Sequence, residues 1–316
     1  MRAVFLATVV MSGLLALAAC GDSATSSGAA ATDAGADGAA DGAPLICPAP
    51  LAAPAWLGSF LADHVAKLSG TADIAPGVRL TDRASVDQRR AARTYLSAEL
   101  SSLGLVTSTE DYGAGANVVG RLAATADGAA EWIVVGAHYD SETGSPGAND
   151  NASGVAAVLA VARALKEVPC RSRNVMFVMF DQEEIGLVGS KAFAKAQRDA
   201  GTSIVAAHTI DQISWDADGD RIFEVELPTP ALFAEYETGA SAVGVKVVQT
   251  KTSGTDHQAL RAHGYAAAGL TEEYVGGDTS PQRHLSGDTP ATVDAAYHAL
   301  GTRLVTYVVA RELGAE

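Results

Sequence analysis

Two histidines and six acids sit where apolar segments give way to polar ones. The run "WIVVGA" (132–137) leads into His138 and Asp140, "NVMFVMF" (174–180) into Asp181, Glu183 and Glu184, and "IVAAHTI" (204–210) into Asp211. The stretch "AHYDSETGSPGANDNASG" (137–154) adds Asp150, and "PQRHLSGDTP" (281–290) adds His284. Each has an ordinary reading on its own. A strand-end aspartate is commonly a turn former or a helix cap. Glu183 and Glu184 would open a solvated helix, His138 would be a hydrogen-bonded core residue, and His284 a loop residue. Together they change the odds, because acids gathered at one sheet edge repel and need protonation or a cation to compensate. Histidine mixed with carboxylates suits zinc better than calcium or magnesium, which take all-oxygen shells.

The elements that would position these residues alternate in type. Helical periodicity covers 57–70, 85–104 (serine first, glycine last), 153–168, 186–199, a segment from Pro230, and 292–314. Strand patterns cover 117–122, 131–138, 174–180, 204–211, 221–227, 245–250 and 266–271. This predicts an α/β fold: a three-layer α/β/α sandwich around a mixed, mostly parallel sheet. In such sheets ligands bind beyond the carboxyl ends of strands, where the acids lie.

The 316-residue chain opens with a segment to be set aside in fold reasoning. Residues 1–19 carry one Arg, an apolar run and small residues, the pattern of an export signal. "LAAC" (17–20) resembles a bacterial lipobox, which implies cleavage before Cys20 and lipidation there; an ordinary cleaved signal with an incidental cysteine is the alternative. Residues 20–45 are Ala, Gly, Ser and Asp with little to bury, a flexible tether. Residues 46–316 are expected to form one domain. The net charge of −15 with no Lys/Arg cluster argues against nucleic acid, and against membrane contact other than a lipid on Cys20. Cys47 and Cys170 remain. A bridge between them suits an exported protein, and two separate buried thiols are the alternative. A monomer is expected.

Five pieces, "GAHYDS", "GANDNASG", "FDQEEIGLVGS", "TIDQIS" and "HLSGDTP", together with the upstream "GVRLTDRAS…AARTYLSAELSSLGL", give the chain a resemblance to the zinc exopeptidases that include bacterial leucyl aminopeptidases, glutaminyl cyclases and glutamate carboxypeptidases. The resemblance implies two zinc ions. His138, Asp150 and Asp211 would hold one; Asp150, Glu184 and His284 would hold the other, with Asp150 shared. Gly147 and its small neighbours would let the backbone bring Asp150 between the metals. Asp140 would orient His138. Glu183 would be the general base for a bridging water acidified by the metals. Tyr274 is assigned to the oxyanion. Asp256 and His257, in "TSGTDHQAL", are assigned to the pocket or to support of the ligands, with helix capping by Asp256 as the alternative. Two departures bear on the pocket: Thr255 stands where the family writes Ser, and "TEEYVGGDTSPQRH" (271–284) is longer and richer in glycine than expected. His208, His263 and His298 fit no motif slot and read as structural.

The activity so implied is aminopeptidase action on peptides with a free N-terminus. Arg283 keeps a carboxypeptidase open as an anchor for a terminal carboxylate. A glutaminyl cyclase and a non-catalytic surface binding protein complete the alternatives, and the complete ligand set argues against the last.

Overall fold

The computed structural model describes residues 47, 49–50 and 52–314. The expected signal, the lipidation site at Cys20, the tether and the boundaries at 19/20 and 45/46 lie outside them. Two helices come first, α1 (Leu57–Leu68) and α2 (Val86–Ser102), the second capped by the Ser85 hydroxyl accepting from the Gln88 N–H. Then follow β1 (Val106–Asp111), β2 (Ala116–Leu122), β3 (Trp132–His138), α3 (Gly154–Leu165), β4 (Asn174–Phe180), α4 (Val188–Asp199) and β5 (Ile204–Ile210). The chain continues through β6 (Ile222–Glu226), α5 (Pro230–Val243), β7 (Lys246–Thr250), α6 (Asp256–Ala262), β8 (Ala267–Thr271) and α7 (Ala295–Glu312).

The strands form one sheet in the order β1-β2-β4-β3-β5-β8-β6-β7. Pairs β3–β4, β3–β5, β5–β8 and β6–β7 are parallel; β1–β2, β2–β4 and β6–β8 are antiparallel. The central strands are apolar on both faces because both faces are covered. Ile133, Val135 and Ala137 of β3, with Val175, Phe177 and Met179 of β4, join the cluster built on α2, α3, α5 and α7. The alternate residues Val134, Met176, Val178 and Phe180 pack instead with Phe193 and Ala194 of α4 and Leu260 of α6. The expected three layers are thus present. Cys47 and Cys170 form a disulfide, the bridged alternative. No helix among the described residues is long and apolar enough to cross a membrane.

β1 has no counterpart in the sequence reading. Its residues, "VTSTED", are mostly polar and partly exposed, as an edge strand permits. It pairs with β2 alone.

Candidate active site

The parallel core of the sheet sets the site. β3 and β4 run in register, with His138 opposite Phe180, so the acids that follow β4 emerge beside the histidine that ends β3. β5 flanks β3 on its other side and delivers Asp211 to the same edge. Asp150 arrives from a wide, kinked turn, Ala148–Ser153, that opens α3. Gly147 makes that approach feasible. It has a φ of 61°, and a Cβ there would stand 2.4 Å from the Asp150 carbonyl oxygen and 2.6 Å from Arg83 Nη2.

These residues meet as follows. His138 Nε2 lies 3.3 Å from Asp150 Oδ1 and 3.3 Å from Asp211 Oδ1. His284 Nε2 lies 3.1 Å from Asp150 Oδ2 and 3.1 Å from Glu184 Oε2. The two oxygens of Asp150 therefore face two different histidines, each with its own second carboxylate. Asp140 faces His138 Nδ1 at 3.4 Å and accepts the backbone N–H groups of Glu183 (3.0 Å) and Glu184 (3.2 Å). One carboxylate thus faces the histidine and orders the paired glutamates.

The donor set fits two tetrahedral cations. Ligand atoms about 2.0–2.1 Å from a zinc ion stand about 3.3–3.4 Å from each other, close to the separations seen in both halves. Asp150 Oδ2, Glu184 Oε1, His138 Nδ1 and His284 Nε2 are buried without hydrogen-bond partners. Such atoms call for a cation or water. Glu142, on the rim, also comes within reach of Glu184 and His284.

Charge tells the same story. Burial, followed by Asp211, Asp256 and Glu184, pushes the Glu183 carboxyl up to about 10 against the opposing pull of His138. Burial opposes charge on His138, yet Asp211, Glu183, Asp140 and Asp150 outweigh it and hold its pKa well above the usual value. The carboxylates of Asp150 and Glu184, each 3.1 Å from its Nε2, lift His284 to about 10 against the effect of burial. Acids that hold protons beside histidines that refuse to lose theirs mark a site short of positive charge.

Asp256 is buried behind Glu183, hydrogen-bonded to Ser190, and pushed by burial to about 7. It is not the helix cap: Thr255 holds the cap position of α6, and its hydroxyl meets His257 Nδ1 at 2.9 Å. His257 is buried beside Glu226. Tyr274 is partly exposed on the wall of a cavity of about 130 Å³ that also includes Asp211, and Arg283 lies over its ring at 5.6 Å.

Some strand-end and motif residues do other work. Asp181 turns away from the cluster, pairs with Arg89 at 2.8 Å and accepts the Ala116 N–H. His208 bonds Tyr236 and Glu312, His298 bonds the Ser153 carbonyl, and His263 bonds the Ala259 carbonyl.

Two buried residues matter here that sequence reasoning did not single out. Asp288 accepts the N–H groups of Asn149 (2.8 Å) and Asp150 (3.0 Å), fixing the turn that carries the central carboxylate. Fully buried Arg83 donates to the carbonyls of Tyr139, Leu68, Pro146 and Gly147, clamping the loop between His138 and Asp150. Asp288 lies inside "HLSGDTP", and that motif was its only signal.

Residues 117–308 match peptidase family M28. The chain belongs to that family. The matched span runs from β2 through most of α7 and contains every residue of the cluster. Among M28 relatives, leupeptin-inactivating enzyme 1 of Streptomyces exfoliatus is 27% identical over 246 residues, 75% of this chain and 54% of that protein. The chain spans 13–54% of the length of three curated relatives it matches. The fold is similar to that of the Legionella pneumophila LapA aminopeptidase (TM-score 0.73, 20% identity, 82% of this chain and 73% of that one). It is also similar to a Bacteroides thetaiotaomicron glutaminyl cyclase bound to N-acetylhistamine (TM-score 0.67, 16% identity, 82% and 99%). These two structures share the architecture, and the fold alone does not separate their reactions.

Proposed function

We propose that this chain is a dizinc aminopeptidase that removes N-terminal residues from peptides. The observation that carries the reading is the division of Asp150 between two histidines, each with a private carboxylate. His138, Asp150 and Asp211 would hold one zinc ion; Asp150, Glu184 and His284 the other. Bound there, the ions would supply an acidified bridging water and a polarised scissile carbonyl.

The chain's own groups do the rest. Asp140 keeps His138 in one tautomer and orientation. Glu183, on the backbone that Asp140 holds, would be ionised once two cations offset the surrounding acids, and it then takes the proton of the attacking water as the new C–O bond forms. It returns that proton to the amine nitrogen as the C–N bond breaks. Tyr274 is the proposed donor to the oxyanion, with Asp256 and His257 supporting the site from behind. The acidic surroundings, Asp211 and Glu183 foremost, favour the free ammonium of a peptide N-terminus.

The carboxypeptidase alternative rests on Arg283. That guanidinium is engaged with Asp150, Nε to Oδ2 at 3.4 Å, which weakens it as a carboxylate anchor. We further propose that the protein is exported and tethered through a lipid on Cys20, as a single chain. Labelled palmitate entering the wild type but not Cys20→Ser tests the anchor.

Metal analysis of the purified chain tests the centre itself. Two zinc ions per chain and chelator-sensitive hydrolysis of aminoacyl amides are expected. One ion at saturation, or hydrolysis indifferent to chelator, contradicts the reading.

A further inference from the structure

β6 carries two buried glutamates on one face, and they are held unequally. Glu224 accepts the N–H groups of Val275 (2.8 Å) and Gly276 (2.7 Å) and so holds the loop after β8. Glu226 is 2% exposed, and its Oε2 has no hydrogen-bond partner. The neighbouring strand makes room for it: a Cβ on Gly269 of β8 would stand 2.4 Å from that oxygen.

The imidazole beside Glu226 does not satisfy it. His257 Nδ1 lies 3.5 Å from Oε2. The other ring nitrogen, Nε2, faces the Thr252 carbonyl at 3.3 Å, and a carbonyl only accepts, so Nε2 carries the proton. Nδ1 is then an acceptor and takes the Thr255 hydroxyl at 2.9 Å. Burial pushes His257 down to about 4, so the ring is neutral. Nδ1 thus offers Glu226 no proton, and the Thr255 hydroxyl, which reaches both groups, has one proton to divide between them.

Glu226 lines the cavity of about 130 Å³ that opens from the metal-ligand cluster at Asp211. Thr252, Ser253, Thr255 and Thr271 make the wall polar, where a pocket for a leucine side chain would be apolar. Arg283 also lines the cavity, with its Nε directed at Asp150. Burial pushes Glu226 up to about 8, with Asp211 and Glu224 adding to it against the hydrogen bond from Thr255, as expected of an acid short of positive charge.

We infer that this cavity receives the side chain of the substrate's N-terminal residue and that Glu226 selects a basic one, an amine or guanidinium tip. The inference rests on the aminopeptidase reading for its substrate. A site built around a buried polar group discriminates strongly against a ligand that leaves it unpaired.

Lysine and norleucine match in chain length and differ at the tip, so they isolate the contribution of Glu226. The experiment measures kcat/KM for lysyl- and norleucyl-aminomethylcoumarin on the full zinc-loaded chain, alongside calorimetric binding of free lysine and norleucine. Wild type is expected to favour lysyl at least tenfold, with Glu226→Leu bringing the ratio to one or below. Glu226→Gln, which keeps the shape, is expected to fall between them. A wild-type ratio of one or less, or a ratio that Glu226→Leu and Glu226→Gln both leave within twofold, overturns the assignment. Lysine binding that depends on Glu226 without cleavage of either amide upholds the pocket and removes the aminopeptidase reading. Neither binding nor cleavage removes both.

Discussion

Glu183 and Glu184 are adjacent in the chain and face different partners. Glu184 Oε2 stands 3.1 Å from His284, in line to share a cation with it. Glu183 is buried among Asp211, Asp256 and Glu184 and is proposed to move protons. Replacement of Glu183 by Gln preserves size and removes proton affinity. It should keep two bound zinc ions and lower kcat roughly 100- to 10,000-fold, the range for loss of a general base. Near-normal turnover with both metals retained would remove it from that role. Asp150→Ala takes a ligand from both halves at once and should abolish binding of both ions, read by metal analysis after dialysis. The residues legible in the sequence were those that break an apolar run, His138, Asp211 and the paired glutamates. Asp288 and Arg83 were not, because an aspartate before Thr-Pro reads as a turn and an arginine in "LTDRAS" as a solvated loop charge. Their burial is a fact of tertiary structure. Glu226 was hidden for a similar reason: it ends a strand whose polar face would ordinarily be wet.

At the scale of elements, the site depends on one irregular turn between two regular ones. β3 ends at His138, α3 begins at Gly154, and the chain between them must turn back to place Asp150 beside His138. Asp288 and the Arg83 guanidinium hold that path by bonding its backbone, and the Arg83 N–H adds a bond to the Ser141 hydroxyl. Asp288→Ala would leave the buried N–H groups of Asn149 and Asp150 unpaired, at about 1–3 kcal/mol each. A lower Tm and weaker zinc binding are expected together, with Asp288→Asn recovering part of both through its remaining acceptor oxygen. Zinc affinity unchanged in Asp288→Ala would show that the turn holds itself. The alternation of strand and helix was readable because the central strands are apolar on both faces. β1 was missed because an edge strand needs only one partner, and its polar residues carry no such period.

Across the whole molecule, the metal-free protein should be sensitive to rising pH. Folding raises Glu183 from its usual 4.5 to about 10, Glu226 and Glu272 to about 8, and His284 from 6.5 to about 10. Between the ordinary and folded values, the folded chain keeps protons that the unfolded chain has released, so stability falls as pH rises. The neutral, buried His64, His257 and His298, lowered to about 4, act in the opposite direction only below about pH 6.5. Above that, Glu183, Glu226, Glu272 and His284 act together. The Tm of the metal-free chain should therefore drop between pH 7 and 9, and zinc should lessen the drop by supplying the missing positive charge. A metal-free Tm that rises over this range would contradict the charge account.

The central claim concerns which end of a peptide is attacked, and one hexapeptide settles it. The peptide is offered with its amino end free or acetylated and its carboxyl end free or amidated, with and without chelator and restored zinc, and products are read by mass spectrometry. The account predicts stepwise loss of N-terminal residues, stopped by acetylation, indifferent to amidation, and abolished by chelator until zinc is returned. A lysine at the first position suits both the general assignment and the proposed pocket. Loss from the carboxyl end that amidation blocks would contradict the account and transfer the chemistry to Arg283 as a carboxylate anchor.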